Sequence, residues 1–308
     1  MLNLGVHHSR ITELFPAPTS RADWERYVLP ESAIAEFERQ GFIQGVRLLS
    51  DAQVDALNGE LRELMSPGCS GAEHFYEYHA NESEDPDAVL FHALGAWRVR
   101  PGFHDLLWCP AFLMAAYQLL GAPVRLFHDQ LFAKPPHHGG VVAWHQDYSY
   151  WTWTQPIAHL TAWIALDDVD ESNGCLHYVP CSHRWGLLEK TGLTGDMDSV
   201  RSALDADQVR AFDQRVPVVM KRGHASFHHP LTMHGSYGNR SDRPRRATVI
   251  NVLADGVLSS ASETSFPGTT RYPKVPSGQP MGGEGYPLLL DPGASFAGWL
   301  DSIPRATR

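Results

Sequence analysis

Between residues 124 and 253 the chain is a succession of short apolar runs, each broken by Gly, Pro, Asn or Asp. The runs cover 124–134, 141–144, 159–166, 175–179, 216–220, 225–227 and 247–253. Segments this short cannot be amphipathic helices of ordinary length, and turn residues at this spacing close antiparallel strands on one another. The pattern predicts a β-sandwich or barrel.

Helical spacing is concentrated ahead of that region. Ile34 and Phe37 predict a helix from Glu31 that ends near Gly41, with a strand over 42–49 after it. Ser50-Asp51 caps a second helix, whose Val54, Leu57, Leu61 and Leu64 recur at three- and four-residue steps until Pro67-Gly68 stops it. A third is predicted over 102–120, closed by Gly121 and Pro123. Residues 1–30 read as an irregular N-terminal extension and 68–100 as a polar loop or lid. Residues 183–215 read as a partly helical insertion, and 256–308 as a Pro/Gly-rich wrap. With no internal repeat and no linker, residues 1–308 are expected to form a single domain.

Composition narrows the partners. Apolar residues at 43% and charged residues at 19% are those of a chain with a packed core. A net charge of −10 and the absence of a long Lys/Arg run speak against nucleic acid or an anionic membrane, so a small-molecule substrate is expected. Arg240, Arg243, Arg245 and Arg246 form only a local cluster. Four cysteines without a C-x-x-C pair fit reduced thiols. The N-terminus has no signal-peptide core and no stretch is long enough to span a bilayer, so a soluble, cytoplasmic protein is expected. Oligomeric state is left open.

The chemistry is concentrated in WHQDYSYW, residues 144–151. On a strand, His145 and Asp147 project to one face and Gln146 to the other. An imidazole beside a carboxylate supplies two-thirds of the facial triad that leaves half of an octahedral iron open. H-x-D alone is common by chance, so a third ligand from elsewhere is required. His234, read as the end of a strand-like run, is the candidate. Ser236 shares its face, and Arg245 begins the alternating run RRATVINVL, where a planar fork can grip the far carboxylate of a dicarboxylic acid. A lone histidine is more often a packing residue and a lone arginine more often solvated; the conjunction makes the case.

These residues fall in a longer string: FERQGFIQGVRLLSDAQVDALNGEL at 37–61, DQLFAKPP at 129–136, WIALDDVDESNGCLHYVPCSH at 163–183 and FHHPLTMHGSYGNRSDRPRRA at 227–247. In order and spacing the chain resembles the phytanoyl-CoA dioxygenase (PhyH) family of iron(II)/2-oxoglutarate-dependent oxygenases. The resemblance implies a mainly β fold with flanking helices, a double-stranded β-helix of the cupin-like jelly-roll type. It implies that His145, Asp147 and His234 hold Fe(II), that Arg245 and Ser236 hold 2-oxoglutarate, and that Gln130 and Trp163 line the cosubstrate pocket. O2 is the remaining cosubstrate. Hydroxylation of an aliphatic C–H with release of succinate and CO2 is then expected, with no protein acid or base. Desaturation, cyclisation, epimerisation and a catalytically silent jelly-roll binding protein are the alternatives; a cupin-shaped zinc hydrolase would leave Arg245 without a task. Asp147 disfavours halogenation, since related halogenases have a small residue there.

Gly223-His224 stands where the family has Gly-Asp, a departure expected to touch a turn. Lys134 matches a recurring Lys-Pro-Pro yet reads as a solvated lysine. Tyr148, Tyr150, Trp151 and Trp153 either line the pocket or pack. His7, His8, His137, His138, His159, His177, His183, His224, His228 and His229 are assigned structural or exposed positions. The substrate is left open among an acyl thioester, an amino-acid derivative and a secondary metabolite.

Overall fold

The computed structural model describes residues 3–83, 85–190, 192, 195–261, 271–291 and 298–307. Its helices form where caps and apolar spacing coincide. α1 (Arg21–Glu25), inside the stretch read as irregular, is short and held by a Ser20/Asp23 capping box. α2 (Glu31–Gln40) buries Ile34 and Phe37 and stops at Gly41, whose φ of 85° suits glycine. β1 (Phe42–Arg47) follows, ending two residues earlier than the predicted strand. α3 (Asp51–Leu64) opens on a reciprocal cap between Ser50 and Gln53 and turns Val54, Leu57, Leu61 and Leu64 inward.

Two expectations fail here. Residues 68–100 contain β2 (Glu77–His79) and β3 (Phe91–Leu94), which extend the large sheet, and Trp97 beyond them is fully buried. The predicted helix over 102–120 is two helices, α4 (Pro101–Leu106) and α5 (Pro110–Leu120). Pro110 has no N–H to continue α4 and holds Cys109 in extended conformation (φ −62°, ψ 121°), so a new helix starts on it.

The strands then follow: β4 (Val124–Lys134), β5 (Val142–His145), β6 (Thr154–Gln155), β7 (His159–Ala165) and β8 (Leu176–Tyr178). α6 (Ala206–Phe212) lies in the insertion. After it come β9 (Val216–Pro217), β10 (His224–His228), β11 (His234–Ser236), β12 (Arg245–Ala254), β13 (Leu258–Ser259) and β14 (Leu288–Leu290). One antiparallel sheet has the order β1-β10-β7-β12-β4-β3-β2, with β14 also on β4; the second has the order β5-β11-β8-β9. They pack face to face as a double-stranded β-helix, a jelly roll. Phe42, Trp163, Leu176, Tyr178 and Val249 fill the space between them, with Phe42 stacked on Tyr178 at 4.6 Å between ring centroids.

The outer faces are covered unequally. α2, α3 and α5 pack on the large sheet, and every residue of α5 is buried. The insertion covers the small sheet through Phe212 and Val200 against Trp144 and Val179. Gly223 (φ +79°) makes the turn expected of it before β10; a Cβ there would lie 2.6 Å from the Leu49 carbonyl. Part of the C-terminal wrap lies outside the described residues, but β13 pairs with β6 and β14 with β4. All four cysteines are free, and no helix among the described residues is long and apolar enough to cross a membrane.

Candidate metal centre and cosubstrate pocket

His145 and His234 meet because β5 and β11 are antiparallel with these two residues directly opposite. Cross-strand partners share a face, and the rings stand 4.2 Å apart between centroids. Each ring bonds through Nδ1 to the carbonyl two residues before it, Ala143 at 2.7 Å and Thr232 at 2.9 Å. A carbonyl only accepts, so Nδ1 carries the proton and Nε2 is left with its lone pair. Both Nε2 atoms turn to Asp147 Oδ1, at 3.5 Å and 3.7 Å. The ligand atoms of all three residues lie within 4.8 Å of one another, and all three are buried.

Asp147 reaches this position differently from the expectation. It opens a 3-10 turn, Asp147–Tyr150, beyond the end of β5. Its second oxygen, Oδ2, accepts from Thr161 Oγ1 at 2.6 Å and His228 Nε2 at 2.9 Å. His228 in turn bonds through Nδ1 to the Tyr178 hydroxyl at 2.9 Å. Burial alone would raise the Asp147 pKa; the imidazoles of His234, His145 and His228 outweigh it and hold the carboxyl well below its ordinary range. Burial, then the neighbouring His145 and His228, push His234 well below the usual imidazole value. Ring nitrogens beside an ionised carboxylate are what a divalent metal takes, and with three donors and no thiolate the set fits iron(II).

The centre opens on a cavity of about 270 Å³ between the sheets. Toward one end stand Ser236 on β11, Arg245 on β12, Trp163 on β7 and Gln130 on β4. Ser236 follows His234 by the two-residue period of a strand. Arg245 is not on the ladder partner of β11: β12 belongs to the facing sheet, and the guanidinium crosses between sheets to donate to Ser236 Oγ at 3.2 Å and the Gly174 carbonyl at 3.1 Å. It lies 5.5 Å from the centre of the Trp163 ring. Its Nη1 is buried with no partner among the described residues, so a fully interior guanidinium has a donor left for a ligand. Gln130 holds His92 at 2.9 Å, and His92 bonds Glu82 at 2.7 Å.

Lys134 corrects its reading as a solvated side chain. It is fully buried and its Nζ donates to Ser236 Oγ at 2.6 Å and the Tyr237 carbonyl at 2.7 Å. His228 and Thr161 are the other residues that sequence reasoning passed over. They sit opposite one another on β10 and β7, so the signal for His228 is its place on a strand paired with β7. Near its other end the cavity is lined by Tyr150, Trp151, Trp153 and Tyr272, with Glu77 and Lys190. Tyr148 packs instead, its hydroxyl donating to the Thr154 carbonyl.

The sequence pattern of a family described as phytanoyl-CoA dioxygenase (PhyH) matches residues 37–247, more than half of the chain. A phytanoyl-CoA dioxygenase domain-containing protein 1 of Bos taurus is 34% identical over 145 residues, 44% of this chain and 49% of that protein. The chain thus spans about half the length of the first curated relatives that it matches. A methylphosphonate hydroxylase of Gimesia maris is 27% identical, over 75% of this chain and 84% of its own length. Among solved structures, the non-heme alpha-ketoglutarate-dependent carbocyclase SnoK from nogalamycin biosynthesis superposes with a TM-score of 0.69 at 26% identity. That superposition covers 89% of this chain and 100% of SnoK.

Proposed function

Because the chain belongs to the phytanoyl-CoA dioxygenase family, we propose that it is an iron(II)- and 2-oxoglutarate-dependent oxygenase acting on a small organic molecule. One observation carries the reading: three metal-type donors converge at one point of a cavity whose far end holds an interior arginine with an N–H that no described residue accepts. His145, Asp147 and His234 would hold the iron, Arg245 and Ser236 the distal carboxylate of 2-oxoglutarate, and Trp163 and Gln130 the walls beside it. When bound, iron, 2-oxoglutarate and O2 supply oxidation of a substrate C–H bond with formation of succinate and CO2.

The chain's own residues orient and insulate. Thr161 and His228 occupy Asp147 Oδ2, which leaves Oδ1 to face the metal position. The carbonyls of residues 143 and 232 lock both imidazoles in the ligating tautomer. Trp151, Trp153 and Tyr272 offer flat apolar surface for a substrate, with Glu77 and Lys190 at hand for polar groups. Hydroxylation is the primary outcome. The likeness to a carbocyclase over 89% of the chain supports ring closure as a second, since the same donors serve both. We read the chain as one domain, because β14 completes the large sheet, and the unpaired thiols fit a reducing, cytoplasmic setting.

The test is anaerobic addition of 2-oxoglutarate to the iron(II)-loaded protein. A weak visible charge-transfer band is expected, lost in His145→Ala, Asp147→Ala and His234→Ala. A band that survives loss of His234 moves the third ligand elsewhere. Succinate release against a substrate library then identifies the reaction.

A further inference from the structure

Two rungs of the sheets face one another across the metal position. On the small sheet His145, His234 and Tyr178 are cross-strand neighbours on β5, β11 and β8. On the large sheet Phe42, His228, Thr161 and Asn251 stand likewise on β1, β10, β7 and β12. Tyr178 stacks on Phe42 and bonds His228, whose ring lies 4.4 Å from that of His234 between centroids. The Asp147 carboxylate enters between the rungs, with Oδ2 against Thr161 and His228. Whether those two residues have hydrogens to give that oxygen is decided one residue further out, at Asn251 and Tyr178.

Thr161 has one hydroxyl proton and two oxygens within reach of it, Asp147 Oδ2 at 2.6 Å and Asn251 Oδ1 at 2.9 Å. One proton cannot serve both. A half-turn of the Asn251 amide brings Nδ2 to Thr161 in place of Oδ1, and Nδ2 otherwise lies buried with no partner among the described residues. Asn251 then donates to Thr161, and the Thr161 proton belongs to the carboxylate. On the other arm Oδ2 only accepts, so His228 carries its proton on Nε2 and offers a lone pair at Nδ1. The Tyr178 hydroxyl fills that lone pair, and Ser226 Oγ, 2.9 Å from the phenol oxygen, donates behind it. Both arms run one way, toward Asp147.

We propose that Asn251 and Tyr178 are positioning residues for the metal carboxylate: acting through Thr161 and His228, they commit an O–H and an N–H to Asp147 Oδ2 and keep Oδ1 turned to the metal. A carboxylate on a turn has no ladder to aim it, and two directed donors on one oxygen replace that constraint. The inference rests on the metal assignment above. Asn251 or Tyr178 acting only as a tie between strands would give an effect that does not depend on the middle residue of its arm.

Iron(II) affinity, read anaerobically by competition with a chromophoric chelator, tests this in two double-substitution cycles: Asn251→Leu with Thr161→Val, and Tyr178→Phe with His228→Ala. Alone, Asn251→Leu and Tyr178→Phe should each weaken iron binding roughly 3- to 10-fold, the scale of one lost hydrogen bond. Beside Thr161→Val or His228→Ala the same change should cost nothing more, because its route to Asp147 is already cut. Losses that multiply in a cycle overturn that arm as a relay, and unaltered iron affinity in a single variant overturns the positioning role of its residue. Tyr178→Phe keeps the ring on Phe42, and Asn251→Ala replaces Asn251→Leu if the latter fails to fold. An unaltered protein that binds no iron is a distinct result: it overturns the functional reading, and this inference with it.

Discussion

The two ends of the cavity are built from different material. At the proposed metal and cosubstrate end the side chains stand on strands: His145 on β5, His234 and Ser236 on β11, Thr161 and Trp163 on β7, Arg245 on β12, Gln130 and Lys134 on β4. At the other end Glu77 stands on the edge strand β2, but Tyr150 belongs to a 3-10 turn, Trp151 and Trp153 to the segment after it, Lys190 to the insertion and Tyr272 to the tail. Ladders hold atoms to fixed spacings, whereas connecting segments change without disturbing the sheets. Asp147 is the exception that shows the rule, because a ligand placed on a turn needs Thr161 and His228 to fix it.

The largest effect that tests this contrast is at the ligands. His234→Ala should lower turnover on the order of 1,000-fold or more, measured as succinate release. Next, His228→Ala should weaken iron binding by roughly 10- to 100-fold, read by competition with a chelator, since it frees an oxygen of Asp147. Trp153→Ala in the same assay should leave iron affinity unchanged; a comparable loss would erase the distinction between the ends.

Acid should act through two buried imidazoles, of which His128 lines the cavity. Burial holds His128 and His159 at about 3, so both are neutral in the fold. Their folded values lie below the unfolded one of roughly 6.5, so the unfolded chain binds the extra protons. Stability is therefore full above that value and is lost as pH falls from it toward 3, by about 2 kcal/mol per histidine at pH near 5. Urea midpoints at neutral and mildly acid pH measure the loss, and His159→Phe should shrink it. The smallest effect is expected at the loop-built end: Tyr272→Ala should change the KM for the organic substrate by roughly 2- to 10-fold and leave that for 2-oxoglutarate alone.

What could be read without coordinates follows the same divide between local and distant causes. The Ser50 cap, the Gly41 stop and the bounds of β4 are written in adjacent residues and were legible. The meeting of His145, Asp147 and His234 was foreshadowed by the ordered string of motifs, although Asp147 stands on a turn and not on the strand whose period suggested it. β2 and β3 were not legible: β2 is three residues long and pairs with β3 alone among the described strands, and the apolar run around β3 is enclosed by polar residues and finds its partner β4 some way along the chain. Lys134 reads as solvated because nothing nearby shows that Ser236 and Tyr237 close over it. His228 needs the pairing of β10 with β7 to bring it to Asp147, a contact across 81 positions.

The pairing of residue 145 with residue 234 makes the site a checkpoint on assembly. Slippage of β11 by a single rung against β5 would swing one imidazole to the outer face and bring Gly235, which carries no side chain, into its place. Metal capture at the proposed centre would thus select one alignment of the small sheet among its neighbours. Loading with iron should accordingly slow hydrogen exchange of the amides in β5 and β11 more than in the large sheet, whose alignment does not wait on the ion.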